Sequence, residues 1–245
     1  MIFCVIKMPD VITYLAGGKL GDFIHSLSVV YEKYLETNKK GVVYLSTEIG
    51  QFLTGCDQTF LETKDIVEIQ PYIHSYKIHD GEKFDIDLSF WRTCDYRNPY
   101  PITMNTFYSV DWGKNKWLLN IPTDPVWKDK IVILTVAYRF PYKISWQRLV
   151  NEYDKDKFVF ISFNKSDYDD FCERTQIHPE YHELTSLMEM CVIINSCSLY
   201  VGSFTAPLAF AFALHARCII GFFSDYELFC VGFEKQIPTI FFLLD

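Results

Sequence analysis

Apolar positions along this chain follow two alternating periods. VITYLA (11–16) has the composition of a buried strand, GGKLGD (17–22) that of a glycine-rich turn, and FIHSLSVVYEKYLE (23–36) has helical spacing. In that helix Ile24, Leu27, Val30, Tyr31 and Tyr34 fall on one face at steps of three and four. GVVYLS (41–46) is a second buried strand, and IVEIQPYI and FDIDLSF within 63–90 alternate as later strands do. Residues 91–125 carry no clear period. Pro122 and Pro125 in NIPTDPVW mark the linker, because each removes a backbone donor and stiffens the chain.

The second half alternates more clearly. Strands are predicted at 131–138, 158–163, 199–203 and 218–223, and helices at 145–153, 166–175, 185–196 and 206–214. Strands alternating with helices imply a parallel sheet with helices on both faces. The expectation is therefore an α/β chain with two Rossmann-like domains facing each other across a cleft, residues 1–122 and 126–245. The apolar stretch 205–223 raises the question of a membrane span. His215 and Arg217 interrupt it and Pro207 lies near its start, so a buried helix followed by a buried strand fits better.

Composition narrows the function classes. Hydrophobic residues make up 49% and charged residues 22% of 245, which excludes a disordered chain. The net charge of −8 disfavours sequence-independent gripping of nucleic acid or of an anionic membrane, without excluding a local basic cleft. The eight cysteines are scattered, with no C-x-x-C pair, which predicts neither a zinc site nor a disulfide framework. Free thiols in apolar runs point to a reducing, cytoplasmic setting. MIFCVIKMPD does not have the form of a signal peptide.

Two loops are candidates for chemistry. Gly18, Lys19 and Gly21 lie between the first strand and its helix, where the backbone can approach a ligand. Asp22 there is either a helix cap or a general base at the carboxyl edge of the sheet. His25 either points into the cleft or is a half-buried helix residue. Ser203 and Thr205 end the strand LYVGS and precede the helix that Pro207 opens; they either cap it or offer hydroxyls to a diphosphate.

LGDFIHSLSVVYEKY (20–34) resembles the N-terminal G-D-x-I-H-x-L signature of the heptosyltransferases, glycosyltransferase family nine. INSCSLYVGSFTAPLAFAFAL (194–214) resembles that family's strand, G-x-D-T-G-P turn and alanine-rich helix. TVAYRFPYKISWQRL (135–149) is similar to the family stretch in which an Arg and a Lys precede a Trp-bearing helix. The resemblance implies a GT-B fold, an acceptor bound mainly in the first domain and a nucleotide-sugar donor mainly in the second. It also implies metal-independent transfer with inversion, in which the nucleotide-sugar is a co-substrate and no cofactor is needed. On it, Asp22 matches the general base, Arg139 and Lys143 lie near the donor phosphates, and Thr205 faces the diphosphate.

Trp91 and Arg92, with Asp95 and Arg97, form a polar-aromatic loop that either holds the acceptor or acts as a structural lid. His182 and Leu184 lie where this fold contacts the nucleoside, or else form a strand end. Three positions depart from the family: Phe204 stands for its Asp, Ala206 for its Gly and Ala209 for its His. These departures leave the donor sugar and the acceptor open, and they keep a degenerate, binding-only protein as the alternative. A Rossmann dinucleotide enzyme is disfavoured, since residues 17–22 lack the third-glycine spacing and Ser46, not an acid, ends the second strand.

Overall fold

The computed structural model describes residues 10–93, 99–142, 144–221 and 240–241. Two parallel sheets of Rossmann-like type divide them. The first contains β1 (Val11–Gly18), β2 (Lys40–Gly50), β3 (Ile73–Ile78) and β4 (Ile86–Asp87), in the order β3-β2-β1-β4. The second contains β5 (Ile131–Leu134), β6 (Phe158–Ser162), β7 (Glu180–Glu183), β8 (Leu199–Ser203), β9 (Cys218–Gly221) and β10 (Ile240–Phe241), ordered β10-β9-β8-β5-β6-β7. Strand order reverses beside β1 in one sheet and between β5 and β8 in the other. Such switch points open a crevice at the carboxyl ends of the strands.

The helices are α1 (Leu20–Thr37), α2 (Cys56–Glu68), α3 (Tyr100–Tyr108), α4 (Trp146–Glu152), α5 (Lys165–Thr175), α6 (Leu187–Ser196) and α7 (Ala206–Ala213). The second sheet has helices on both faces, as expected. One core places α4 and α5 against Phe158, Phe160 and Val201, and α6 and α7 pack on the opposite side. The first sheet differs from the expectation. Its helices α1 and α2 cover one face, while Leu15, Val42 and Tyr44 form a small separate cluster on the other. α1 packs on α7 and α2 on α6, so a layer of four helices joins the sheets through one continuous apolar core.

The local differences have local causes. IVEIQ does not begin a strand: Ile66 and Val67 close the buried stripe of α2 with Thr59 and Thr63, a helical spacing that short apolar runs conceal. FDIDLSF contributes only the two residues of β4, which pair with Tyr14 and Leu15 of β1. The aperiodic stretch contains α3, with a proline in its first turn. The predicted strand 131–138 stops at Leu134, because Ala137–Arg139 turns as a 3-10 segment. The glycine turn is shorter than predicted: β1 runs through Gly18, paired with Gly50, and α1 begins at Leu20. Segment 205–223 divides into α7 and β9, and no helix among the described residues is long and apolar enough to cross a membrane.

Candidate active site

The first switch point holds Asp22. Its position in the first turn of α1 lets one carboxylate oxygen accept the Lys19 backbone N–H at 3.1 Å. The same oxygen is bound by Nη1 of Arg92, from the 3-10 turn after β4, and the Tyr100 hydroxyl donates to the other at 3.3 Å. Arg92 also donates to Gln51 Oε1 at 3.0 Å, while its guanidinium lies 5.5 Å from the Trp91 ring centre. Gly18 makes this clamp possible. Its φ is +84°, and a Cβ there would come within 3.0–3.2 Å of Arg92 and Asp22 side-chain atoms. Asp22 therefore caps α1 and lies at the carboxyl edge of β1.

His25, one turn further along α1, is buried with rings of Tyr100, Trp112 and Phe212 at 4.4–6.0 Å. Burial lowers its pKa to about 3, and Nδ1 has no partner among the described residues. The expectation that it points into a cleft is corrected: the apolar face of α1 turns it into the core between the sheets. Lys19 is exposed beside this site.

The second switch point brings Arg139 and Thr205 together. Arg139 follows β5 and donates from Nη1 to the Phe204 carbonyl at 2.7 Å, which fixes the loop after β8. Thr205 is the N-cap residue of α7, yet its hydroxyl turns back to the Ser203 carbonyl at 3.4 Å instead of capping the helix. Ser203 is fully buried, so its expected contact with a diphosphate is corrected: the last residue of β8 faces inward, because the strand is covered on both sides. Lys143 lies outside the described residues, as do Asp95 and Arg97.

The two clusters belong to one place. Gly21 lies next to Asp22 and Ala206 next to Thr205, and a Cβ on Gly21 would meet the Ala206 Cα at 3.5 Å. The starts of α1 and α7 thus meet in van der Waals contact, where the sequence suggested a cleft. Small residues on both helices, Gly21, Ala206 and Ala209, permit that approach. Gly21→Leu is expected to lower unfolding free energy by about 1–3 kcal/mol through overpacking. Urea denaturation measures it, and a leucine variant as stable as the parent would contradict the contact.

A cavity of about 650 Å³ lies beside α6, lined among others by Trp127, Lys130, His182, Met188 and Glu189. His182 shares a hydrogen bond with Glu189 Oε1 at 2.9 Å and meets the Trp127 ring edge-on at 5.1 Å. Burial pushes the Glu189 carboxyl up, but the Thr185 N–H and hydroxyl, both at 2.7 Å, and His182 outweigh it and hold its pKa below the usual value. Leu184 does not line this cavity. It is buried, and its N–H extends the β6–β7 ladder to the Ser162 carbonyl.

Trp127, Glu189, Gln51 and Tyr100 were not singled out in the sequence. Trp127 had a signal, an aromatic two residues after the linker proline; the others had none. Among the described residues no three His, Cys, Asp or Glu side chains converge as metal ligands. The free thiols of Cys191, Cys197 and Cys218 are pushed well up by burial and behave as small apolar side chains.

No protein family's sequence profile matches the chain, and no curated protein sequence matches it. Solved structures do. The chain is similar in fold to a glycosyl transferase family 9 protein from Veillonella parvula, at 11% identity and a TM-score of 0.52, over 89% of this chain and 84% of that one. It is also similar to the E. coli heptosyltransferase WaaC solved with ADP-2-deoxy-2-fluoro heptose, at 10% identity and a TM-score of 0.56, over 85% and 87% of the two chains. The WaaC structure with ADP gives a TM-score of 0.55 at the same identity. The likeness is one of fold.

Proposed function

We propose that this chain is a glycosyltransferase that moves a sugar from a nucleotide diphosphate to an acceptor hydroxyl. The observation that carries the reading is the Gly21–Ala206 contact. It sets the first turn of α1, which carries Asp22, against the start of α7, whose preceding loop Arg139 holds. Likeness to a family 9 transferase and to WaaC supports the same reading.

The chemistry assigns each half a task. Negative charge grows on the leaving diphosphate as the sugar ring becomes cation-like. Arg139, Lys143 and the start of α7 at Thr205 offset that charge without a metal in the proposed mechanism. The acceptor hydroxyl is too weakly acidic to ionise alone, so Asp22 takes its proton and attack inverts the anomeric carbon. Arg92, Trp91, Lys19 and the backbone at Gly18 and Gly21 border the acceptor.

His182 and Trp127 receive the nucleoside in the 650 Å³ cavity. β7 stands three strands from β8, about 14 Å at the ordinary strand spacing.

One observation favours a second reading, a protein that holds nucleotide or glycan without turnover. Asp22 already carries Arg92, Tyr100 and the Lys19 N–H, as a purely structural carboxylate would. A panel of ADP-, UDP-, GDP- and CMP-sugars separates the readings through two measurements, sugar release and thermal shift. Transferase chemistry predicts both responses with at least one donor. A thermal shift without release favours the binding protein, and neither response with any donor overturns the transferase reading and a nucleotide-holding protein alike.

A further inference from the structure

In a two-domain transferase whose lobes close on substrate, the segment between the lobes acts as a hinge. Here residues 115–121 are bonded to both sides. Trp117 is fully buried, and its indole N–H donates to the Ile24 carbonyl of α1 at 2.9 Å. Its backbone N–H and that of Leu118 both donate to the Ala213 carbonyl, the last residue of α7, at 3.1 Å. Its own carbonyl accepts the Tyr72 hydroxyl at 2.7 Å. One tryptophan therefore bonds α1, the approach to β3 and α7.

Its neighbours repeat the pattern. The Leu119 N–H donates to Gln70 Oε1 at 2.7 Å, and the Asn120 amide donates to the Ile69 carbonyl at 2.7 Å, both on the first lobe. On the second lobe, Lys116 Nζ donates to Asn195 Oδ1 at 2.8 Å, and Asn195 returns a bond to the Ile121 carbonyl at 2.9 Å. Opening the lobes would break one of these two sets of bonds and expose the helix layer between the sheets.

We infer that Trp117 is a positioning residue that ties the first turns of α1 to the end of α7, so the lobes stay closed with or without ligand. Its catalytic consequence rests on the transferase reading; the fixed lobes do not.

Small-angle X-ray scattering of the full chain tests the fixed lobes. The radius of gyration of the parent is expected to be the same alone and with ADP, UDP or GDP. Contraction with any of them would overturn the proposal. Trp117→Ala is expected to enlarge the radius while circular dichroism shows it folded, and Trp117→Phe to restore it. A folded Trp117→Ala chain with the parent's radius would also overturn it. If Trp117→Ala does not fold, Gln70→Ala with Tyr72→Phe removes bonds from the first lobe and carries the same expectation.

With a donor that the parent turns over, Trp117→Ala is expected to lower kcat roughly tenfold or more, with KM for the donor unchanged. The donor groups lie in one lobe, so a shift confined to KM would contradict a positioning role. A parent without turnover would refute the transferase reading, and the scattering result would still decide the brace.

Discussion

Replacing Asp22 by Asn is expected to slow sugar transfer by about a hundredfold or more. The amide keeps the size of the side chain and can still accept the Lys19 N–H, so α1 retains its cap. It has neither the basicity to take a hydroxyl proton nor the charge that holds Arg92. Loss of that charged bond, in a pair only partly open to solvent, is expected to cost about 1–3 kcal/mol of stability. Arg92 retains Gln51, which keeps the cost toward the lower end. Turnover measured well below the melting temperature separates the two effects. An Asp22→Asn variant with full turnover would exclude Asp22 as the base. A variant that binds donor normally but transfers slowly would fit the assignment.

Acidification from pH 7 to pH 5 is expected to destabilise the chain, with His25 as a principal cause. Burial holds the folded imidazole neutral down to about pH 3, whereas the unfolded chain takes up the proton near 6.5. The unfolded state therefore binds more protons below 6.5. The stability tied to neutral His25 is fully present above that pH and is lost as pH falls toward 3. The slope approaches roughly 1.4 kcal/mol per pH unit for this one group. His215, also lowered by burial, acts in the same direction. Glu82 and Asp85, held low by backbone hydrogen bonds with Asp80 and Thr13, add their losses in the carboxylate range below this window. Denaturant unfolding at pH 7, 6 and 5 is the measurement, with His25→Phe as the comparison. The phenyl ring fits the aromatic cage and is expected to flatten the slope. Equal slopes in both proteins would place the titrating group elsewhere.

The second half of the fold was legible in the sequence because its elements announce themselves locally. Phe158–Ser162, Leu199–Ser203 and Cys218–Gly221 are buried on both faces and read as unbroken apolar runs. Ser186 caps α6, and Pro207 opens α7. The first half was harder to read. β4 has only two residues, and its pairing with β1 joins positions about seventy apart. α2 conceals its apolar stripe among threonines, which carry little hydrophobic signal although Thr59 and Thr63 are buried.

The candidate site divides in the same way. Asp22 and Thr205 stood out because each sits in a strand-to-helix turn, and turn chemistry is written in neighbouring residues. His25 and Ser203 lie next to those turns, yet both are buried, because the direction of a side chain depends on what packs against it.

By itself the sequence determined the alternation of strands and helices, the parallel sheets and the two loops that can hold an acid and an anion. Those properties follow from the periods of helix and strand and from backbone groups left unpaired at helix starts. Only the tertiary structure decided that Arg92 holds Asp22, that Trp127 and Glu189 join His182 around a cavity, and that Trp117 ties α1 to α7. These contacts join residues far apart in sequence, and three-dimensional packing rather than local periodicity selects which of the many possible pairs form.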